Sequence, residues 1–230
     1  MSIKIDLKIF LFFFLFLLTS QIEMYILLMV FAIIHELGHL IMGLILKFEP
    51  EEIKLTPVGL QIKFKVNSEE YNEKARKSNS LNIKKALIAL AGPMTNLIIS
   101  STIAIISKFS VNTQHMYIYQ IIIYANFLIA AFNLIPIYPM DGGRFLNEIM
   151  KILIGNKRAY KITYIVSKTT LIVLTALGSI LILYIHNISI IIILAYLWYL
   201  EIVEIRKYYR RKNIEKLVQS IEREKYCSRI

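Results

Sequence analysis

Two histidines and a glutamate lie close together in a strongly apolar stretch, FAIIHELGHLIMG, from Phe31 to Gly43. On a helix, residues four apart are offset by only about 40° after a full turn, so His35 and His39 stack on one face. Their imidazoles can bind one metal ion, and Glu36 lies beside that face, within reach of a water molecule at the metal. This H-E-x-x-H spacing indicates a zinc site that activates water for hydrolysis.

The composition indicates that this stretch belongs to an integral membrane protein. Hydrophobic residues make up 57% of the 230-residue chain, which exceeds the roughly 45–50% that is typical of soluble domains. A spanning helix needs about 20 mainly apolar residues. Six segments fit that description, near 5–21, 24–46, 86–107, 116–136, 162–185 and 188–203. Because ionisable groups are costly in a bilayer, metal binding explains the two imidazoles and the carboxylate better than chance does.

The first of these segments leaves two interpretations open. It could be the apolar region of a signal peptide, since Lys4 and Lys8 precede its short unbroken core. No small-x-small cleavage site follows, because the chain continues TSQIEM. This favours a retained helix and a total of six spans.

The charge distribution predicts the orientation of the chain and disfavours a nucleic-acid partner. Lys and Arg number 27 against 16 Asp and Glu, a net charge of +11. If the N-terminus is cytoplasmic, 25 of those 27 basic residues lie on the cytoplasmic side. This is the positive-inside pattern, and it predicts cytoplasmic termini, with the basic tail as a topological anchor. The single cysteine, Cys227, excludes a disulfide framework.

A strictly alternating stretch, EEIKLTPVGLQIKFKV, follows the second predicted span. Ile53 and Leu55 precede a Pro57-Val58-Gly59 turn, and the apolar alternation then resumes and continues to Val66. Period two on both sides of a Pro/Gly turn predicts a small β-hairpin with one apolar face. Such a hairpin is too small to fold alone, so that face must rest on the helices or on the membrane.

The third predicted span contains LAGPMTNLI, in which Gly92 and Pro93 predict a kinked helix. A structural kink explains these two residues about as well as a function does. Asn96 follows within one turn and places an amide in the bilayer, where it needs a partner in protein or in a wet cavity.

The fourth span runs into AAFNLIPIYPMDGGRF. Pro136 and Pro139 are expected to end the helix, and Gly142 with Gly143 allows a turn that directs Asp141 back toward the bundle. On its own, Asp141 could equally be an exposed turn residue.

Two histidines leave a catalytic zinc short of a third protein ligand. His115 and His186 fall at the predicted outer ends of spans, whereas Asp141 falls on the cytoplasmic side, toward which His39 also lies. Glu148 is the other nearby carboxylate, and on a helix it lies nearly two turns beyond Asp141, at the membrane surface. Asp141 is therefore the predicted third ligand of a site that opens to the cytoplasm.

Three motifs together resemble the site-two protease family of intramembrane metalloproteases: HELGH, AGPMTN and NLIPIYPMDGGR. The resemblance covers roughly residues 24–204 and is closest to the branch that serves sporulation in endospore-forming bacteria. It implies a membrane protein of six helices that cleaves a peptide bond at or near the membrane. It places one Zn²⁺ per chain on His35, His39 and Asp141. Glu36 is the implied base, and Asn133 is implied to lie close to the substrate.

The same resemblance implies a protein substrate and a cellular setting. The substrate is a membrane-associated sigma-factor precursor, processed in the mother-cell membrane around the forespore, and membrane proteins are the expected regulatory partners. We expect one transmembrane metalloprotease domain over 1–205 (core 24–204) and a basic cytoplasmic tail over 206–230. Neither a nucleotide-binding CBS domain nor a PDZ domain is expected, because about 27 mostly polar residues follow the last span and no long insertion occurs.

The predicted reaction is hydrolysis of a peptide bond. Glu36 takes a proton from water and hands it to the leaving amine, while Asn133 or Asn96 donates hydrogen bonds to the substrate backbone or the oxyanion. The hairpin offers an edge strand that could pair with an extended substrate. One alternative within the enzyme class is an envelope-stress protease that cleaves an anti-sigma factor. A metal-transporting or non-catalytic metal-binding protein is the other, but it has no use for a non-ligating carboxylate such as Glu36.

Overall fold

The computed structural model describes residues 2–5, 17, 22–56, 59–65, 75–109, 113–185, 191, 194–203, 205–206 and 210, and it is mostly helical. In chain order the elements are β1 Ser2–Ile5, α1 Ile22–Ile45, β2 Glu49–Thr56, β3 Gly59–Lys65, α2 Ala75–Phe109, α3 Thr113–Leu134, α4 Asp141–Ile154 and α5 Asn156–Ile185. A shorter apolar helix covers Leu194–Val203. The chain divides into two compact units, Met1–Pro136 with Met140–Thr163, and Ile137–Pro139 with Tyr164–Ile230.

Among the described residues, four helical segments are long and apolar enough to cross a membrane, which confirms the prediction of a membrane protein. They are Tyr25–Ile45, Asn79–Phe109, Met116–Leu134 and Arg158–Tyr184. The 24 residues of α1 extend about 36 Å, more than the roughly 30 Å of hydrocarbon in a typical bilayer.

The predicted total of six spans is not reached in the described residues. The first predicted segment, 5–21, lies outside them except for Ile5, which ends β1, and Leu17. The sixth, 188–203, contributes the short helix Leu194–Val203 to the described part of the chain. Both of these spans therefore stay predictions.

The strands form one three-stranded sheet in the order β1-β2-β3. β2 and β3 pair antiparallel, with Ile53 opposite Ile62, in the region where the alternating sequence predicts a hairpin, and the intervening residues 57–58 lie outside the described ones. β1 joins β2 in parallel, with Ile3 opposite Ile53. Sequence reasoning missed β1, because four residues are too few to show a period.

The sheet rests on the C-terminal end of α1. Lys47 adopts a left-handed conformation with φ of 64°, and the Phe48 N–H donates to the Gly43 carbonyl over 2.9 Å. This six-to-one bond is typical of a helix C-cap that redirects the chain. The Phe64 ring of β3 packs where a side chain on Gly43 would otherwise lie, and it meets the Phe48 ring edge to face at 6.1 Å between centroids.

Within the first unit, α2 is the central helix and packs against α1, α3 and α4. α1 and α2 approach closely at Gly38, where an added Cβ would lie 3.0 Å from the Ala91 carbonyl oxygen and would overlap Thr95. α2 and α3 are joined by the Ser100 hydroxyl, which donates to the Ile123 carbonyl over 3.1 Å. Three helices are therefore held close to the H-E-x-x-H segment of α1.

The second unit is held by its own contacts. The Tyr138 N–H donates to the Ser167 hydroxyl over 2.9 Å, and the Trp198 indole N–H donates to the Thr175 hydroxyl over 3.1 Å. Leu171 and Leu197 are buried in its core.

Candidate metal centre

Three ligand atoms from two helices converge at one buried point of the first unit. α1 contributes His35 and His39, and α4 contributes its first residue, Asp141; all three are buried. Asp141 Oδ2 lies 2.9 Å from His35 Nε2 and 3.1 Å from His39 Nε2. The two Nε2 atoms are 3.3 Å apart. Of the described residues, only these three bring His, Cys, Asp or Glu ligand atoms together in such a group.

The turn between α3 and α4 positions Asp141. α3 ends at Leu134, ahead of Pro136, as expected where a proline follows. α4 then begins so close to that end that a Cβ on Gly142 would collide with the backbone of Leu134 and would lie 2.6 Å from the Ile135 carbonyl oxygen. Only glycine fits this approach, which gives Gly142 its structural role at the site.

Pro139 also lies in this turn and follows a cis peptide bond from Tyr138. Pro93 is fully buried inside α2, and the helix continues through it. It cannot supply a backbone N–H to the ladder of α2.

The outer nitrogens of the two imidazoles are held by hydrogen-bond acceptors. His39 Nδ1 lies 2.6 Å from the Ile88 carbonyl oxygen, and His35 Nδ1 lies 3.0 Å from Asn96 Oδ1. Both Nδ1 atoms must therefore carry a proton, because these oxygens can only accept. The Gly92 N–H also lies 3.3 Å from His39 Nδ1, but the shorter carbonyl contact requires the proton. The lone pairs of the two Nε2 atoms then face Asp141, an arrangement that calls for protons or a metal cation between them.

The ligand set fits one zinc ion. In a tetrahedral site with zinc–ligand distances of 2.0–2.1 Å, neighbouring ligand atoms lie about 3.3 Å apart. The observed separations of 2.9, 3.1 and 3.3 Å are close to that value. Two imidazoles and one carboxylate also form the donor set of known catalytic zinc sites, which leave a further position open.

Gly92 lets α2 lie directly against the two imidazoles. A Cβ added there would overlap the His39 ring and lie 2.7 Å from His35 Nε2. Any other residue type at this position would push the imidazoles away from their observed positions.

The electrostatics of Asp141 suit a ligand. Burial works to raise the pKa of its carboxyl, but hydrogen bonds with His35 and His39 outweigh burial and hold this pKa well below its ordinary value. Arg144 adds to the effect, with its guanidinium Nη1 3.7 Å from Asp141 Oδ1. Asp141 is therefore a carboxylate at neutral pH, the form that binds a metal.

Glu36 is half-buried beside the ligands on α1, and its carboxylate lies within the electrostatic field of His35, His39, Asp141 and Arg144. Its carboxylate oxygens are not among the three converging ligand atoms. Its role as a base stays a prediction.

The two asparagines predicted to meet the substrate differ in their surroundings. Asn133 is half-buried near the end of α3 and donates to the Ile129 carbonyl of its own helix over 3.0 Å. Asn96 accepts from His35 and uses its amide nitrogen on two other oxygens. A contact of Asn133 with substrate stays a prediction, whereas the bonds of Asn96 favour a role in orienting His35.

The other candidate ligands either lie away from the cluster or have side chains outside the described residues. Glu148 is buried on α4 and pairs with Lys151; it does not join the cluster. Its place at the membrane surface stays a prediction. His186 lies outside the described residues, and only the backbone of His115 is described, in the first turn of α3.

Sequence reasoning missed three participants. The Ile88 carbonyl leaves no trace in a sequence pattern, since any residue could supply it. Arg144 lies one turn after Asp141, so a helix beginning at the aspartate would have indicated the pair. Asn126, which binds Asn96, is an amide within a predicted span and could have been found by the same reasoning as Asn96.

Comparison with known proteins identifies similar chains. A zinc metalloprotease of Methanocaldococcus jannaschii is 30% identical over 156 residues, covering 67% of this chain and 42% of that protein. Stage IV sporulation protein FB of Bacillus subtilis is 25% identical over 162 residues, covering 70% of this chain and 51% of that protein. The chain thus spans about half the length of these two relatives or less.

A solved structure, the site-2 protease from Methanocaldococcus jannaschii, aligns with a TM-score of 0.60 and 25% identity, covering 86% of this chain and 88% of that one. The sequence profile of Peptidase family M50 matches residues 23–114 and 98–177, which include all three proposed ligands. The chain therefore belongs to Peptidase family M50, as the resemblance to site-two proteases predicted.

Proposed function

We propose that this protein is an intramembrane zinc metalloprotease that hydrolyses a peptide bond of a membrane-associated protein at or near the cytoplasmic face. The observation that carries this proposal is the convergence of three ligand atoms, two of them from a helix that is long and apolar enough to span a membrane. Ionisable groups inside a membrane are costly, so their presence indicates a functional site. Here they form a complete zinc donor set with an adjacent carboxylate that binds no metal.

In the proposed reaction, His35, His39 and Asp141 hold one zinc ion, which supplies Lewis acidity that polarises a carbonyl and makes water nucleophilic near neutral pH. Glu36 accepts the proton of the attacking water and delivers it to the leaving amine. Its position one residue after His35 on α1 keeps it beside the ligands without occupying a ligand position.

Substrate binding is proposed to use two features near the site. Asn133, at the end of α3, donates a hydrogen bond to the substrate backbone or the oxyanion. A scissile peptide must be extended to be attacked, and β3 pairs with β2 on one side among the described residues. The other side of β3 is proposed to pair with the substrate strand.

The chain is proposed to lie in a bacterial cell membrane with both termini in the cytoplasm. Support comes from the 25 of 27 basic residues that fall on one side under this topology. A sigma-factor precursor of the pro-sigma-K type, processed in the mother-cell membrane, is the proposed substrate. The relative named stage IV sporulation protein FB supports this choice.

The test is co-expression of the full chain with a membrane-tethered sigma-factor precursor, followed by mapping of the cleavage site. Glu36→Gln should abolish cleavage, while Glu23→Gln, the same change at an exposed position of α1, should leave it unchanged. Equal cleavage by the wild type and Glu36→Gln would refute the proposed mechanism. Cleavage of an anti-sigma factor but not of the precursor would refute the substrate and keep the chemistry.

A further inference from the structure

Two buried amides lie behind the metal centre, one on α2 and one on α3. Asn96 and Asn126 are both 0% exposed. Asn96 Nδ2 donates to Asn126 Oδ1 over 3.1 Å, and Asn96 Oδ1 accepts from His35 Nδ1 over 3.0 Å. Asn126 Nδ2 in turn donates to the Ile122 carbonyl of its own helix over 2.9 Å. A chain of three hydrogen bonds therefore joins a backbone carbonyl of α3 to His35.

The direction of these three hydrogen bonds is fixed by the Ile122 carbonyl, at the end distant from His35. The Ile122 carbonyl can only accept, so it holds the nitrogen of the Asn126 amide and turns Asn126 Oδ1 toward Asn96. That oxygen also only accepts, so it holds the nitrogen of Asn96 and turns Asn96 Oδ1 toward His35. A longer contact from Asn96 Nδ2 to the Phe31 carbonyl, 3.5 Å, favours the same orientation.

From this geometry we infer that Asn126 and Asn96 are positioning residues that keep the proton of His35 on Nδ1 and so direct its Nε2 lone pair to the metal. His39 obtains the same tautomer directly from the Ile88 carbonyl and needs no side chain for it. The two ligands of α1 are thus oriented in different ways, and only His35 depends on a third helix. This positioning role depends only on metal binding by His35 and not on the identity of the substrate.

A second polar contact joins α2 and α3 but is not hydrogen-bonded to His35. Ser100 lies one turn after Asn96 on α2, and its hydroxyl bonds to the Ile123 carbonyl of α3. It joins the same two helices but has no contact with His35. If the amides only held α2 and α3 together, loss of Asn126 and loss of Ser100 would affect the metal site alike.

The experiment uses the full-length protein in detergent, with zinc affinity measured by competition with a chromophoric chelator. Asn126→Leu removes the anchor at similar volume, and Ser100→Ala is the matched control. Removing a group that orients a metal-binding histidine costs roughly 10–100-fold in metal affinity, and we expect Asn126→Leu to fall in that range. Asn126→Asp keeps an oxygen that accepts from Asn96, so it should retain most of the affinity. Ser100→Ala should bind zinc like the wild type.

A second readout follows the proton of His35 itself. ¹⁵N spectra of histidine-labelled, zinc-loaded protein show which ring nitrogen carries the proton and how fast that proton exchanges with water. His35 should carry a slowly exchanging proton on Nδ1 in the wild type and in Ser100→Ala. In Asn126→Leu the Asn96 amide keeps only the longer contact to the Phe31 carbonyl, so the Nδ1 proton of His35 should exchange faster.

A wild-type His35 with its proton on Nε2 would overturn the inference, and this test needs no variant to fold. Equal zinc affinity of Asn126→Leu and Ser100→Ala would also overturn it. Neither readout uses a substrate, so a failure of the proposed cleavage reaction would leave both results interpretable.

Discussion

Gly92→Ala adds one methyl group directly against the imidazoles of His35 and His39. The added Cβ would lie 2.7 Å from His35 Nε2 and closer still to His39 Nε2. Non-bonded carbon contacts are optimal at about 3.5–4.0 Å, so the imidazoles must retreat by about 1 Å. Zinc–ligand distances tolerate only about 0.2 Å. At least one histidine should therefore stop binding, and zinc affinity should fall by roughly 100-fold or more, about 2.8 kcal/mol.

The assay compares zinc binding and thermal unfolding of full-length protein with and without zinc. Alanine is favoured over glycine within a helix by about 1 kcal/mol, so a loss of zinc binding cannot be attributed to weaker helix formation. Gly43→Ala is the matched control on α1, because its Cβ would meet the Phe64 ring of β3 rather than the imidazoles. Zinc should raise the unfolding temperature of the wild type and of Gly43→Ala but not that of Gly92→Ala. Stoichiometric zinc in Gly92→Ala with wild-type affinity would refute the close packing of α2 against the two histidine ligands.

The remaining predictions concern the base, the third ligand and the orientation. Glu36→Gln should give a folded protein that retains zinc but does not cleave, as measured by metal analysis beside a cleavage assay; near-normal cleavage would exclude Glu36 as the base. Asp141→Asn should lose most of its activity and retain zinc poorly, because a neutral amide is a poorer ligand for a dication, whereas Glu148→Gln should leave both nearly intact; the reverse pattern would assign the wrong carboxylate. Reporters fused after Lys212 or inserted between residues 67 and 74, ahead of α2, should be cytoplasmic, and an external signal from either would refute the topology.

Local sequence signals predicted much of the metal centre. The spacing of His35 and His39 needs only the helical period, and the apolar surroundings make chance a poor explanation. Asp141 is about a hundred positions away, but the glycine pair after it indicated a chain that turns back. The backbone collision that a side chain on Gly142 would cause gives the physical reason for that glycine.

Features that depend on contacts distant in sequence were harder to predict. β1 pairs in parallel with a strand about fifty residues away, and Ser2–Ile5 is too short to carry a periodic signal. The acceptor of His39 is a backbone carbonyl, which depends on how α1 and α2 pack rather than on a residue type. Asn96 was noticed in the sequence, but its tie to Asn126 requires the relative rotation of two helices.

X-ray absorption spectroscopy of the zinc-loaded protein reports the metal ligands without any substrate, so it is the decisive test of which residues hold zinc. A site formed by His35, His39 and Asp141 predicts nitrogen and oxygen ligands at about 2.0–2.1 Å, together with the outer-shell scattering of two imidazoles. A sulfur ligand, or scattering from fewer than two imidazoles, would contradict the claim that these residues hold the metal.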